Sequence, residues 1–173
     1  MSQDEFFAFM PLLIYGIAIS ELMMHWRDYL KQGRRYWPHI ITGVILLELA
    51  FVNFYYLYDK LDQLFLDYPH FLLHILPPLI FLLMVSVYTP EDDKDVKEYF
   101  LDKTPLIFSL LALFILINTL NDFDWNMINF IRVFAISVCV LIAISRKIWL
   151  IWFFIVARVF LFVMVNYFPH LLL

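Results

Sequence analysis

The chain is organised by long apolar runs, at about 5–27, 37–58, 69–88, 104–120, 126–145 and 148–168, broken by short polar, charged or proline-containing connections. A bilayer core of ~30 Å takes roughly 20 apolar residues as a helix, and only helices or closed barrels satisfy every backbone group in lipid. The apolarity is continuous and does not alternate residue by residue, which excludes a barrel. The pattern predicts an all-α fold: a polytopic membrane bundle of six transmembrane helices, forming a single transmembrane domain over residues 1–173.

Composition narrows the class. Of the 173 residues 64% are hydrophobic and 16% charged, where soluble domains hold ~45–50% and ~25%. That excess is too large for one soluble core. A mean hydropathy of +0.80 and only three glycines exclude a disordered or collagen-like chain. The single cysteine, Cys139, rules out an intrachain disulfide framework and a multi-thiolate metal site. Met1-Ser2-Gln3-Asp4-Glu5 is acidic and lacks the basic region of a signal peptide, so the first span is expected to stay in the mature protein.

The net charge of −4 matters through its distribution. Cytoplasmic loops retain basic residues during insertion. Arg27, Lys31, Arg34 and Arg35 follow span one, Lys94, Lys97 and Lys103 follow span three, and Arg146 and Lys147 follow span five. The opposite loops carry Lys60 alone, with Asp59, Asp62, Asp67, Asp122 and Asp124. This predicts an N-out, C-out topology. Trp26, Trp37, Trp125, Trp149 and the Tyr55-Tyr56-Tyr58 group mark the interfaces.

The third loop is the one sizeable soluble element. Thr89 suits a helix cap, Pro90 the first helical position, and Glu91-Asp92-Asp93 the positive end of the dipole. These predict an amphipathic cytoplasmic helix over about 90–102. Val96, Tyr99, Phe100 and Lys103 share one of its faces. That face is expected to lie on the cytoplasmic membrane surface as a connecting helix, the alternative being that Tyr99 and Phe100 contact a cytoplasmic protein partner.

Depth along each span, at ~1.5 Å per residue, then singles out the groups that do not belong in lipid. Glu48 falls at the centre of span two and Arg158 at the centre of span six. A charge at the bilayer midplane costs at least ~2.5–3.5 kcal/mol, so a partner is required. The obvious partners are each other, either as a pin for helix register or as a functional gate. Pro77-Pro78 in span three removes two backbone donors, so a kink and free carbonyls near Leu73 and His74 are expected. Glu21 and His25 lie toward the cytoplasm, and Asn53, His74 and Arg132 toward the outside, with Asn118 and Asn129 nearer the surface. Glu21, Glu48, Arg158, His74 and Arg132 thus form a ladder of titratable groups through the membrane. Gly16-x-x-x-Ser20 offers a small face for close helix approach, inside the bundle or between subunits.

Catalytic signatures are absent: the chain holds no nucleophile elbow, phosphate-binding glycine loop or HExxH motif. His70 and His74 share a face but have no histidine opposite at their depth, so neither haem nor a metal is expected. No cofactor, no catalytic residue and no nucleic-acid partner is expected. The expected partners are the lipid bilayer and, because six short helices enclose little space, further copies of the chain. The leading reading is a channel or transporter passing protons, ions or a small polar solute. Glu48 is its titratable gate, Arg158 the counter-charge and the proline pair the flexible element. The competing reading is a non-catalytic scaffold or sensor subunit that signals through the third loop.

Gly16-Ile17-Ala18-Ile19-Ser20-Glu21, Tyr36-Trp37-Pro38-His39, Asp95-Val96-Lys97-Glu98-Tyr99-Phe100 and Ile131-Arg132 resemble stretches of a group of small bacterial multi-pass inner-membrane proteins with no assigned activity. The resemblance implies a bacterial inner-membrane placement and carries over no mechanism and no site residue.

Overall fold

Each apolar run forms a helix, because in lipid the only partners for backbone N–H and C=O groups are those of the chain itself. A computed structural model describes residues 3–30, 35–58, 68–90, 95–121 and 127–167, and among these no strand occurs. The helices are α1 (Gln3–Met24), α2 (Trp26–Tyr29), α3 (Trp37–Tyr58), α4 (Tyr68–Tyr88), α5 (Val96–Asn121), α6 (Met127–Ser145) and α7 (Ile148–Tyr167). Four of them contain stretches long and apolar enough to cross a membrane: Trp37–Tyr56, Tyr68–Tyr88, Val96–Asn121 and Met127–Ser145. Phe9–Met24 and Ile148–Val163 are shorter apolar helices.

The outward faces are as greasy as the core. Ile144, Val156, Trp149, Phe160 and Leu120 are all exposed, a coat that water would not tolerate over such an area and that lipid covers. The chain is a helical membrane protein.

The long helices close into a ring in the order α1, α3, α7, α6, α5, α4 and back to α1, with α3 also touching α5 across the middle. Residues Arg146 and Lys147 alone connect α6 to α7. Arg146 adopts φ 53° and its amide donates to the Ile142 carbonyl at 2.9 Å. This left-handed cap turns the chain back on itself within two residues.

Between α1, α3, α4 and α5 the interior is dry and aromatic. Leu46, Phe81, Met84, Val85, Phe108 and Leu111 are fully buried, and Phe114 nearly so. Tyr15 and Phe114 tilt against Phe81, each with centroids 5.6 Å away. The packing is uneven along the bundle. Among the described residues the last buried one is Ala50 on α3 and Ile155 on α7, and α6 is buried at Val138, Cys139 and Ile142 but in its first half only at Asn129. The α3–α6–α7 side is therefore tight at the end that holds the α6–α7 turn and loosens toward the other.

Two sequence expectations change here. The separate helix over 90–102 and the span after it are one continuous helix, α5, which passes through Pro105 without interruption. Its cap is Asp95, whose Oδ1 accepts from the amides of Lys97 at 2.8 Å and Glu98 at 3.1 Å. Thr89 instead closes α4, its hydroxyl donating back to the Val85 carbonyl at 3.0 Å. Glu91-Asp92-Asp93 lie outside the described residues, as do Lys31, Arg34, Lys60, Lys94 and the aspartates at 59, 62, 67, 122 and 124 on which the orientation depends. Asp95→Ala is expected to destabilise the fold by about 1 kcal/mol, the usual value of an N-cap. Asp95→Asn should retain most of that in a thermal melt, since the amide oxygen can accept the same bonds.

The Gly16-x-x-x-Ser20 face is also not packed inside the bundle. A Cβ added at Gly16 would meet nothing within 4 Å, and Gly16 and Ser20 are both exposed. They floor a shallow open groove on α1 edged by Glu21, Met24 and His25.

Candidate functional site

The structure joins the two charges that depth alone paired. Arg158 Nη2 donates to both oxygens of Glu48, at 2.8 Å to Oε1 and 2.6 Å to Oε2. The two residues come from the middle of α7 and the middle of α3, helices that are neighbours in the ring. A charge at that depth cannot stand alone, and a charge-assisted bond of this length is the strongest local compensation available. The pair is not sealed, since 25% of the Glu48 side chain and 26% of Arg158 remain accessible. It sits where the α3–α6–α7 side passes from closed to loose packing, just before Ala50 on α3 and just after Ile155 on α7.

The rest of the expected ladder is distributed over other helix contacts. His74 is buried on α4 with Nδ1 on the His70 carbonyl of its own helix at 2.8 Å, and its Nε2 is buried without a partner. Arg132 on α6 reaches Asn129 Oδ1 at 3.1 Å and the Asn118 carbonyl of α5 at 3.5 Å. Asn53 and Asn118 turn their amides back onto carbonyls of their own helices, Leu49 and Phe114. Glu21 edges the α1 groove, where His25 Nδ1 bonds the Glu21 carbonyl at 3.1 Å. These contacts hold pairs of helices or single turns, and none of them bonds to the Glu48–Arg158 pair.

Pro77 and Pro78 are buried within an α4 that runs unbroken from Tyr68 to Tyr88. Pro77 has no N–H for the Leu73 carbonyl four residues earlier. Asn121 at the end of α5 fills that vacancy, its Nδ2 donating to the Leu73 carbonyl at 2.8 Å. The freed acceptor thus ties α4 to α5 and does not open onto a path.

Of the two residues expected to meet a partner, Phe100 lies inside the bundle and Tyr99 is half-buried. Phe100 is fully buried, and Tyr99 donates its hydroxyl to the Val87 carbonyl at 2.9 Å. The face they share with Val96 turns inward because α3 and α4 end beside it and supply aromatic surface to cover.

That surface is a cluster sequence reasoning did not single out. His39 stacks on Tyr88 with centroids 4.2 Å apart and planes within 2°. Tyr29 meets the His39 edge at 4.6 Å, Phe100 at 5.4 Å, and Tyr36 packs on Phe100 at 5.9 Å. The hydroxyl of Tyr88 donates to the His39 carbonyl at 2.6 Å, while His39 Nε2 lies 3.3 Å from the Tyr88 carbonyl. Gly43 makes the fit: a Cβ there would stand 2.5 Å from the Tyr88 hydroxyl oxygen. A glycine in a helix interior costs ~1 kcal/mol relative to alanine, and that cost is the signal by which the sequence could have revealed a close approach here. The cluster joins α2, α3, α4 and α5 at the end of the bundle where the α3–α6–α7 side is tight.

No protein-family model matches the chain, and neither a curated protein nor a solved structure aligns with it significantly.

Proposed function

We propose that this chain is a six-span, N-out/C-out carrier or channel of a bacterial inner membrane that passes a proton, an ion or a small polar solute by way of Glu48 and Arg158. The observation that carries the reading is the incompletely buried ion pair. A pair that keeps accessible surface can be reached by a solute without unpacking the helices that hold it. Here a quarter of each side chain stays accessible at the level where the bundle loosens. Broken symmetry of packing around a mid-membrane charge is how carriers present a site to one side at a time. The Tyr29-His39-Tyr88-Phe100 plug is the closed gate on the basic-loop side.

Helix lengths support six crossings. α1 has 22 residues and α7 has 20, so at ~1.5 Å per residue each is about 30 Å long, with apolar stretches over Phe9–Met24 and Ile148–Val163. The pairing of Glu48 with Arg158 also requires α3 and α7 to cross at matched depth.

Flux into vesicles tests the function. Purified protein reconstituted with internal dyes for protons, potassium and chloride is expected to conduct at least one of them. Both Glu48→Gln and Arg158→Gln should change that flux. Wild-type rates from the two variants would remove the pair from the path.

A further inference from the structure

The way Arg158 is used identifies what the site is built to hold. Both Glu48 oxygens sit on one nitrogen, Nη2. A guanidinium offers five N–H donors on three nitrogens. Nε is buried without a hydrogen-bond partner, and among the described residues the bonds of Arg158 are the two that Nη2 gives to Glu48. A fork–fork grip would have engaged two nitrogens and is the stronger arrangement for a permanent pair. The end-on grip leaves the Nη1 side of the guanidinium for a second acceptor, with Nε buried behind it.

Electroneutrality decides what that acceptor is. A net charge at mid-membrane is costly, so every populated state of the site should sum to zero. The empty site does so as Glu48 carboxylate with Arg158 guanidinium. A cation bound to Glu48 would leave the site with one positive charge in excess. A monovalent anion bound to Arg158 leaves it neutral provided Glu48 has taken up one proton. A neutral solute needs neither charge.

We propose that Arg158 is the binding site for a small monovalent anion whose entry is coupled to protonation of Glu48, an inference that rests on the translocation reading above. A proton from water on the open side converts the Glu48 carboxylate to the neutral acid and releases Nη2. The anion then docks on the Arg158 donors. On release, the anion leaves, Glu48 returns its proton to water, and the pair re-forms. One proton and one anion move together in each cycle, with no net charge and no bond made other than O–H.

The test uses vesicles containing the full chain and a trapped pH dye, with the membrane potential clamped by potassium and valinomycin. Inward gradients of chloride, then of lactate, probe a halide and a carboxylate. Acidification of the lumen by either anion, absent from protein-free vesicles, is the expected result. Arg158→Gln removes the cation on which the anion docks, so acidification should be lost while size-exclusion elution is unchanged. Glu48→Gln should lose acidification and keep exchange of labelled anion, because the neutral side chain imitates the protonated acid. Potassium flux without any anion flux would overturn the anion assignment and leave translocation standing. A full acidification rate in Arg158→Gln would also overturn it. No flux of protons, potassium, chloride or lactate would overturn both.

Discussion

Replacing Arg158 alone by leucine is expected to destabilise the bundle by roughly 3 kcal/mol, while replacing Glu48 and Arg158 together by leucine recovers most of that loss. The single change leaves the Glu48 carboxylate at the middle of α3 with no counter-charge, because Arg158 supplies both of its short bonds. What is measured is therefore mainly the penalty of the stranded group, not the worth of the pair. Removing both ends takes away the attraction and the desolvation cost together, and leucine fills a comparable apolar volume. Unfolding in mixed micelles, followed by tryptophan fluorescence, gives all the corners of the cycle. If the double variant is as damaged as the single one, the two side chains are not each other's main partner. The same double variant should conduct nothing in vesicles, so stability and transport separate in one protein.

Gly43→Ala is expected to cost roughly 2–3 kcal/mol, more than its gain in helix propensity returns. The new methyl would stand 2.5 Å from the Tyr88 hydroxyl oxygen and 3.2 Å from the carbon that bears it. Tyr88 is fully buried, so its ring cannot swing into free space. It must shift, and its hydroxyl then loses the 2.6 Å bond to the His39 carbonyl and the flat stack on the imidazole. Tyr88→Phe alone should cost about 1 kcal/mol, the net value of one hydrogen bond. The diagnostic is the combination. With the hydroxyl gone the alanine has room, so Gly43→Ala with Tyr88→Phe should be more stable than Gly43→Ala alone. Strict additivity of the two losses would mean that the clash is relieved elsewhere.

The Glu48–Arg158 pair was legible because it needs only two facts that a sequence carries: helical rise fixes depth, and a charge at that depth demands a partner. The proline pair was half legible. Loss of the donor at Pro77 follows from covalent structure, and the exposed Leu73 carbonyl follows from the helix pattern. Which side chain would satisfy it did not follow, since Asn121 is 48 residues away in the chain. Phe100 shows the limit most clearly. Spacing correctly put it on one face with Val96 and Tyr99, yet that face points into the bundle.

The reason lies in the solvent. In a soluble helix the buried stripe is apolar and the outer face polar, so periodicity reveals the core. In lipid both faces are apolar, and residues as similar as Phe108, fully buried, and Phe160, 60% exposed, read alike. The sequence by itself therefore determined everything that follows from hydropathy, helical rise and charge: an all-helical membrane protein, its helices, and the two charges at matching depth. Only the tertiary structure decided the ring order, the inward turn of Phe100, the closeness of Gly43 to Tyr88 and the end-on grip that leaves Arg158 with donors to spare. Those depend on which apolar surfaces meet, and interchangeable hydrocarbon carries no label of its neighbour until the helices have packed.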